Sequence, residues 1–136
     1  ELQPCDMTKE EVEFSKRALA EYKRIRPVVQ FGDLYRLSSP YESRVASLMY
    51  VHEKRAVVFA WLMDKWLADS PPPLRLKGLN PAARYLVREI NLDENGPLAN
   101  VHERVLGGDF LMDFGIRINW KNAFQSVCME VTETGS

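Results

Sequence analysis

The stretch Ala56-Val57-Val58-Phe59-Ala60-Trp61-Leu62-Met63 decides the fold. It is the most apolar run in the chain. It is rich in β-branched and aromatic residues and too short for an ordinary buried helix, so it reads as a central strand covered on both faces, with Trp61 in the core. The charged segment His52-Glu53-Lys54-Arg55 precedes it, and Ser47 to Val51 before that forms a second strand. Further back, Asp33-Leu34-Tyr35-Arg36-Leu37 alternates polar and apolar, Ser38-Ser39-Pro40 is a turn, and Val28 to Phe31 is apolar and β-prone.

Downstream, Asp69-Ser70-Pro71-Pro72-Pro73 is a stiff loop, because prolines fix φ and remove donors. Leu74-Arg75-Leu76 and Tyr85 to Ile90 are strands, separated by the turn Gly78-Leu79-Asn80-Pro81. Asn91 to Pro97 is a loop. Val101 to Leu106 fits no single period, Gly107-Gly108-Asp109 is a tight turn, and Phe110 to Phe114 is a strand or a short helical turn. Ile116-Arg117-Ile118 alternates, Ala123 to Val131 is the last strand, and Thr132 to Ser136 is a tail. Short strands with turn signals at roughly 8–12-residue spacing predict an all-β, antiparallel β-sandwich.

One helix precedes the strands. Thr8 and Glu11 form a capping box, and Val12, Ser15, Leu19, Tyr22 and Ile25 make one mostly apolar stripe. Lys23, Arg24 and Arg26 suit the negative end of the helix dipole, and Pro27 is expected to stop the helix. This change of period marks the predicted boundary, with residues 1–27 as helix and linker and 28–136 as sandwich. The opening Glu1-Leu2-Gln3-Pro4, with neither an initiator Met nor a signal segment, is read as the start of a processed or truncated product.

Composition narrows the function. The 136 residues are 46% apolar and 27% charged, as in a globular domain. Eighteen basic against nineteen acidic side chains give a net charge of −1, which argues against a nucleic-acid partner. No apolar run approaches the roughly 18 residues of a membrane-spanning helix. Cys5 and Cys128 are no disulfide framework and match no zinc spacing; Cys128 is expected in a buried strand.

No motif for chemistry is complete. His52-Glu53 and His102-Glu103 each lack the second histidine of a zinc helix, so both histidines are expected on surface loops. Val51-His52-Glu53-Lys54 and Val101-His102-Glu103-Arg104 resemble each other without forming a repeat. There is no nucleophile elbow, and the Gly107-Gly108 pair lacks phosphate-loop spacing and a following helix. Asp33, Glu89, Asp93, Asp109 and Asp113 are the carboxylates from which a glycosidase pair would have to come. Trp66, before the proline loop, is the better candidate for an exposed sugar platform. No metal or cofactor is implied.

The segment Tyr22-Lys-Arg-Ile-Arg-Pro-Val-Val-Gln-Phe-Gly-Asp-Leu-Tyr-Arg-Leu37, with Ser39-Pro40-Tyr41-Glu42 after it, resembles the junction between the catalytic barrel and the C-terminal β-sandwich of family 36 α-galactosidases. Met49-Tyr50-Val51, Ala56 to Ala60, Pro73 to Leu79, Arg84-Tyr85, Gly108 to Met112, Gly115-Ile116 and Ser126 extend the likeness over nearly the whole chain. The resemblance implies a parent that hydrolyses terminal α-galactosides with retention, and that is homo-oligomeric. It implies that the helix is the last helix of an upstream catalytic barrel of the same polypeptide. The family's Lys-Trp-Asp nucleophile string is absent; Asp64-Lys65-Trp66 has the wrong order. No catalytic residue carries over, so the chain alone is expected to be inert. Tyr22, Ile25, Arg26, Asp33 and Arg36 are the expected domain-interface residues, with the helix stripe facing the barrel and part-exposed in this chain, and with Arg26, Asp33 and Arg36 as polar ties between helix, linker and sandwich. The alternative is a stand-alone carbohydrate-binding or protein-interaction sandwich.

Overall fold

The computed structural model describes residues 4–64 and 70–135. After a short turn at Pro4–Asp6, the elements are α1 (Lys9–Phe31), β1 (Asp33–Ser38), β2 (Val45–His52), β3 (Arg55–Leu62), β4 (Arg84–Glu89), β5 (Arg104–Gly107), α2 (Gly108–Asp113) and β6 (Ser126–Gly135). The strands form one antiparallel sheet in the order β1-β2-β3-β6-β4-β5. A second layer of extended segments lies against it, joined by the bridges Leu74–Ile116 and Ala99–Ile118 and closed by α2. The expected antiparallel β-sandwich with one leading helix is therefore present.

β3 sits between β2 and β6, as its composition requires. Ala56, Val58, Ala60 and Leu62 point into the main core with Met49, Leu76, Leu111, Ile116 and Met129. Val57 and Phe59 point the other way, toward Ile25 and Val28 of α1. Trp61 departs from expectation. It is not core but 38% exposed, stacked on Phe59 at 5.9 Å near the end of the strand.

Pro27 does not stop the helix. α1 runs to Phe31, so Val28 to Phe31 is helical rather than extended. A proline inside a helix costs about 3 kcal/mol. Burying Ile25 and Val28 against Val57 contributes about 1.5–3 kcal/mol apiece and offsets that cost. The helix ends at Gly32, whose amide donates to the Val28 carbonyl. A Cβ at Gly32 would stand 2.4 Å from the Val28 oxygen and 2.9 Å from the Val51 oxygen, so the helix end fits against β2 only without one.

Two other expectations change. The predicted tail from Thr132 belongs to β6, where Thr132 pairs with Arg55 and Leu86, and Gly135 with Arg84. A short helix, α2, does follow Gly107, because Leu111 reaches the core and the Leu111 carbonyl accepts from the Leu76 amide. The two Val-His-Glu strings serve alike, each placing its glutamate in the left-handed region of a turn (Glu53 φ 53°, Glu103 φ 57°).

Gly78 carries the first testable consequence. Its φ is +73°, and a Cβ there would lie 2.5 Å from the Tyr35 ring. Gly78→Ala should destabilise the chain by about 2 kcal/mol, through backbone strain and displacement of Tyr35. A fall in the urea midpoint at unchanged slope is the expected reading; an unchanged midpoint would contradict it.

Candidate functional site

α1 begins with the capping box read from the sequence. The Thr8 hydroxyl accepts from the Glu11 amide at 3.2 Å, and the Glu11 carboxylate accepts from the Thr8 amide at 2.7 Å. Only the last two turns of the helix are seated on the sheet, through Ile25 and Val28. Ahead of them the helix presents Phe14, Leu19 and Tyr22, which are 62%, 57% and 52% exposed. Between this free part and the sheet runs a groove of about 820 Å³, lined among others by Phe14, Ala18, Tyr22, Ile90, Leu92 and Cys128.

A charged cluster fastens the helix where the groove closes. Glu130, on β6, is buried on the face that carries α1. Its carboxylate accepts from the Arg24 guanidinium of α1 and, at 3.0 Å, from Arg55 of β3. Arg88 of β4 approaches it at 3.9 Å and Glu21 at 3.7 Å. Glu21 in turn accepts from Arg24 Nε at 3.0 Å, and Arg55 also donates to the Arg24 carbonyl at 3.2 Å. Burial works to raise the Glu130 carboxyl, but the hydrogen bonds from Arg55 and Arg24 outweigh it and hold it below its ordinary range. Neighbouring Cys128 is pushed up to about 12, first by burial and then by the Glu130 charge, so its thiol stays protonated and unreactive.

The second buried carboxylate, Glu89 on β4, faces the opposite side of the sheet. It pairs in register with Met129, whereas Arg88 pairs with Glu130. Its carboxylate accepts from the amides of Leu98 and Ala99 at 2.9 and 3.0 Å. The Glu89 amide donates to His102 Nδ1 at 3.0 Å, so His102 is a half-buried structural group and not the expected surface-loop histidine. Asp33, Asp109 and Asp113 are exposed, and Asp109 accepts from the Phe110 amide. Exposed Asp93 caps its own turn, and the Asn95 hydrogen bonds lower its carboxyl. A retaining glycosidase needs two carboxyl groups about 5–5.5 Å apart across one bond. Here the two buried ones lie on opposite faces of a sheet, each committed to partners. Among the described residues no three His, Cys, Asp or Glu side chains are grouped to hold a metal ion, and no helix is long and apolar enough to cross a membrane.

The expected interface residues divide. Tyr22 is exposed beside the groove, and Leu19 of the same stripe is exposed too. Ile25 is 6% exposed and buried against this chain's own sheet, which corrects its placement on the barrel-facing stripe. Arg26, Asp33 and Arg36 are exposed, and among the described residues none forms an ion pair. The tie between helix and sandwich runs instead through Arg24, Arg55, Arg88, Glu21 and Glu130. One signal for it lay in Ser-Val-Cys-Met-Glu-Val, where Glu130 is the single charge in an apolar stretch. Trp66, Lys65 and Asp69 lie outside the described residues.

Residues 45–131 match the glycosyl hydrolase family 36 C-terminal domain. The alpha-galactosidase AgaA of Geobacillus stearothermophilus is 32% identical over 126 residues, which are 90% of this chain and 15% of that enzyme. The alpha-galactosidase Mel36A of Lactobacillus acidophilus is 33% identical over 118 residues, 85% of this chain and 14% of that enzyme. The crystal structure of the Geobacillus AgaA superposes with a TM-score of 0.80 at 30% identity, covering 98% of this chain and 17% of that one. The chain thus spans about a sixth or a seventh of the proteins it matches.

Proposed function

The chain belongs to the glycosyl hydrolase family 36 C-terminal domains, and from that membership we propose that it is the accessory β-sandwich of an α-galactosidase. The parent hydrolyses terminal α-galactosides with retention. The chain itself is non-catalytic and packs on an upstream catalytic barrel of the same polypeptide. The observation that carries this reading is the free part of α1. Phe14, Leu19 and Tyr22 stand exposed on a helix whose other end is already seated. Covering what each still exposes would contribute about 1–2 kcal/mol, enough to help dock a domain when the three act together. Arg26, Asp33 and Arg36 are exposed at the helix-to-sandwich junction and remain available to a neighbouring domain. The proposed division, residues 1–27 with the barrel and 28–136 as sandwich, falls inside one continuous helix, which makes the junction stiff.

The test is to read the frame upstream of the Glu1 codon, express the whole product and follow hydrolysis of an aryl α-galactoside by proton NMR. The expected result is α-galactose as the first-formed product from the full-length protein and no turnover by the 136-residue chain alone. First-formed β-galactose would overturn retention. Turnover by the isolated chain would overturn the non-catalytic role.

A further inference from the structure

We propose that the cleft beside Trp120 is a secondary binding site for a neutral galactosyl oligosaccharide, an inference that rests on the reading above. The cleft holds about 570 Å³ and lies between the Pro71-Pro72-Pro73 run, Phe114, Trp120 and Arg75. That volume is within the roughly 300–1,000 Å³ of small-ligand sites. It is shaped by Leu37 and Val45 on the sheet face away from α1.

Its walls suit a sugar. Phe114 is 68% exposed yet held in place, stacked on Phe110 at 5.4 Å. Trp120 is anchored against the main core and keeps one side toward the cleft. Fixed aromatic faces and rigid proline rings offer flat apolar area at little entropic cost. Galactose, with its axial 4-hydroxyl, presents a continuous C–H face on the opposite side of the ring that matches such a platform. Arg75 lines the same cleft, is exposed and, among the described residues, makes no hydrogen bond or ion pair. Its guanidinium fork can donate to two vicinal hydroxyls at once. Lys77 is already engaged with the Arg36 carbonyl at 3.2 Å, so Arg75 is the charged donor that can orient a ligand, with the Ser43 hydroxyl on the same lining. Variants of the Geobacillus AgaA have been solved with raffinose and with stachyose, which makes galactosyl oligosaccharides the ligand class present where such a domain works.

The test is a stachyose titration of the 136-residue chain followed by proton–nitrogen correlation spectra. The expected result is a saturable shift of the Trp120 indole and of the Arg75 and Phe114 amides. Phe114→Ala should weaken it about tenfold and Arg75→Ala about fivefold. Both side chains are exposed, so dispersed spectra of the variants will show that the fold survives. A silent cleft up to about 50 mM stachyose overturns the site. So does a response that neither substitution alters, an equal response to maltotetraose, or a response to acidic peptide alone. The site fails independently of the accessory-domain reading. Hydrolysis by the full-length protein with a silent cleft removes only the site, whereas a responsive cleft in a protein without α-galactosidase activity supports the site and removes the reading.

Discussion

Glu130→Ala should unfasten α1 from the sheet and lower stability by about 3 kcal/mol at neutral pH. The carboxylate is only 10% exposed and is shared by Arg24 and Arg55. Removing it leaves two guanidinium groups facing each other, with Arg88 behind them. Each arginine keeps about a third of its side chain in solvent, so water recovers part of the loss. That places the effect at the low end of the roughly 3–5 kcal/mol for breaking a fully buried pair. Glu130→Gln keeps the shape and an accepting oxygen, and should cost about half as much. The pH dependence has a defined sign. A carboxyl held low in the folded state contributes stability that is fully present above its unfolded value, near 4.3, and is lost as pH falls through the lower folded value. Urea unfolding of wild type and Glu130→Gln should therefore differ at pH 7 and converge as pH falls below the ordinary carboxylate range. A gap that stays constant down to the acid limit would show that Glu130 acts through packing and not charge.

The same cluster shows why some of this protein could be read from its sequence and some could not. The capping box at Thr8 and Glu11 is a local pattern, and both of its hydrogen bonds form. The Ala56–Met63 run is apolar throughout and too short for an ordinary buried helix, so its place as a central strand was legible. The helix end was illegible because a local rule, proline as a stop, competes with a tertiary gain at Val28 that no window around Pro27 displays. Trp61 misleads for a related reason. Its strand is central, but α1 covers Val57 and Phe59 and leaves Trp61 38% exposed. Arg26, Asp33 and Arg36 looked like ties because they flank the turn out of the helix. The actual tie joins Arg24 to Glu130, residues 106 apart, a pairing that follows from sheet order rather than from spacing. The order β3-β6-β4, which brings Arg55, Glu130 and Arg88 side by side on one face, is likewise set by long-range pairing.

Glu89→Ala should cost about 3–4 kcal/mol and loosen the second layer, because one carboxylate holds two buried amides. Glu89 is 3% exposed, and the Leu98 and Ala99 amides have it as their partner at 2.9 and 3.0 Å. Alanine would leave both donors unpaired, at about 1–3 kcal/mol for each. Ala99 is also the residue that bridges Ile118, so the loss reaches the pairing that builds the layer over the sheet. Glu89→Gln retains a carbonyl oxygen able to accept from both amides and should cost about 1 kcal/mol. The pair of variants separates structure from chemistry. A buried glutamate in a glycoside hydrolase invites a catalytic reading, and a catalytic carboxylate replaced by its amide loses nearly all turnover while the fold survives. Here the expectation is the reverse. In the proposed full-length α-galactosidase, Glu89→Gln should leave kcat and KM for an aryl α-galactoside unchanged. Glu89→Ala should lower the unfolding midpoint first and activity only where the domain has melted. A large fall in kcat for Glu89→Gln at unchanged melting temperature would place this carboxylate in the reaction and refute the accessory role.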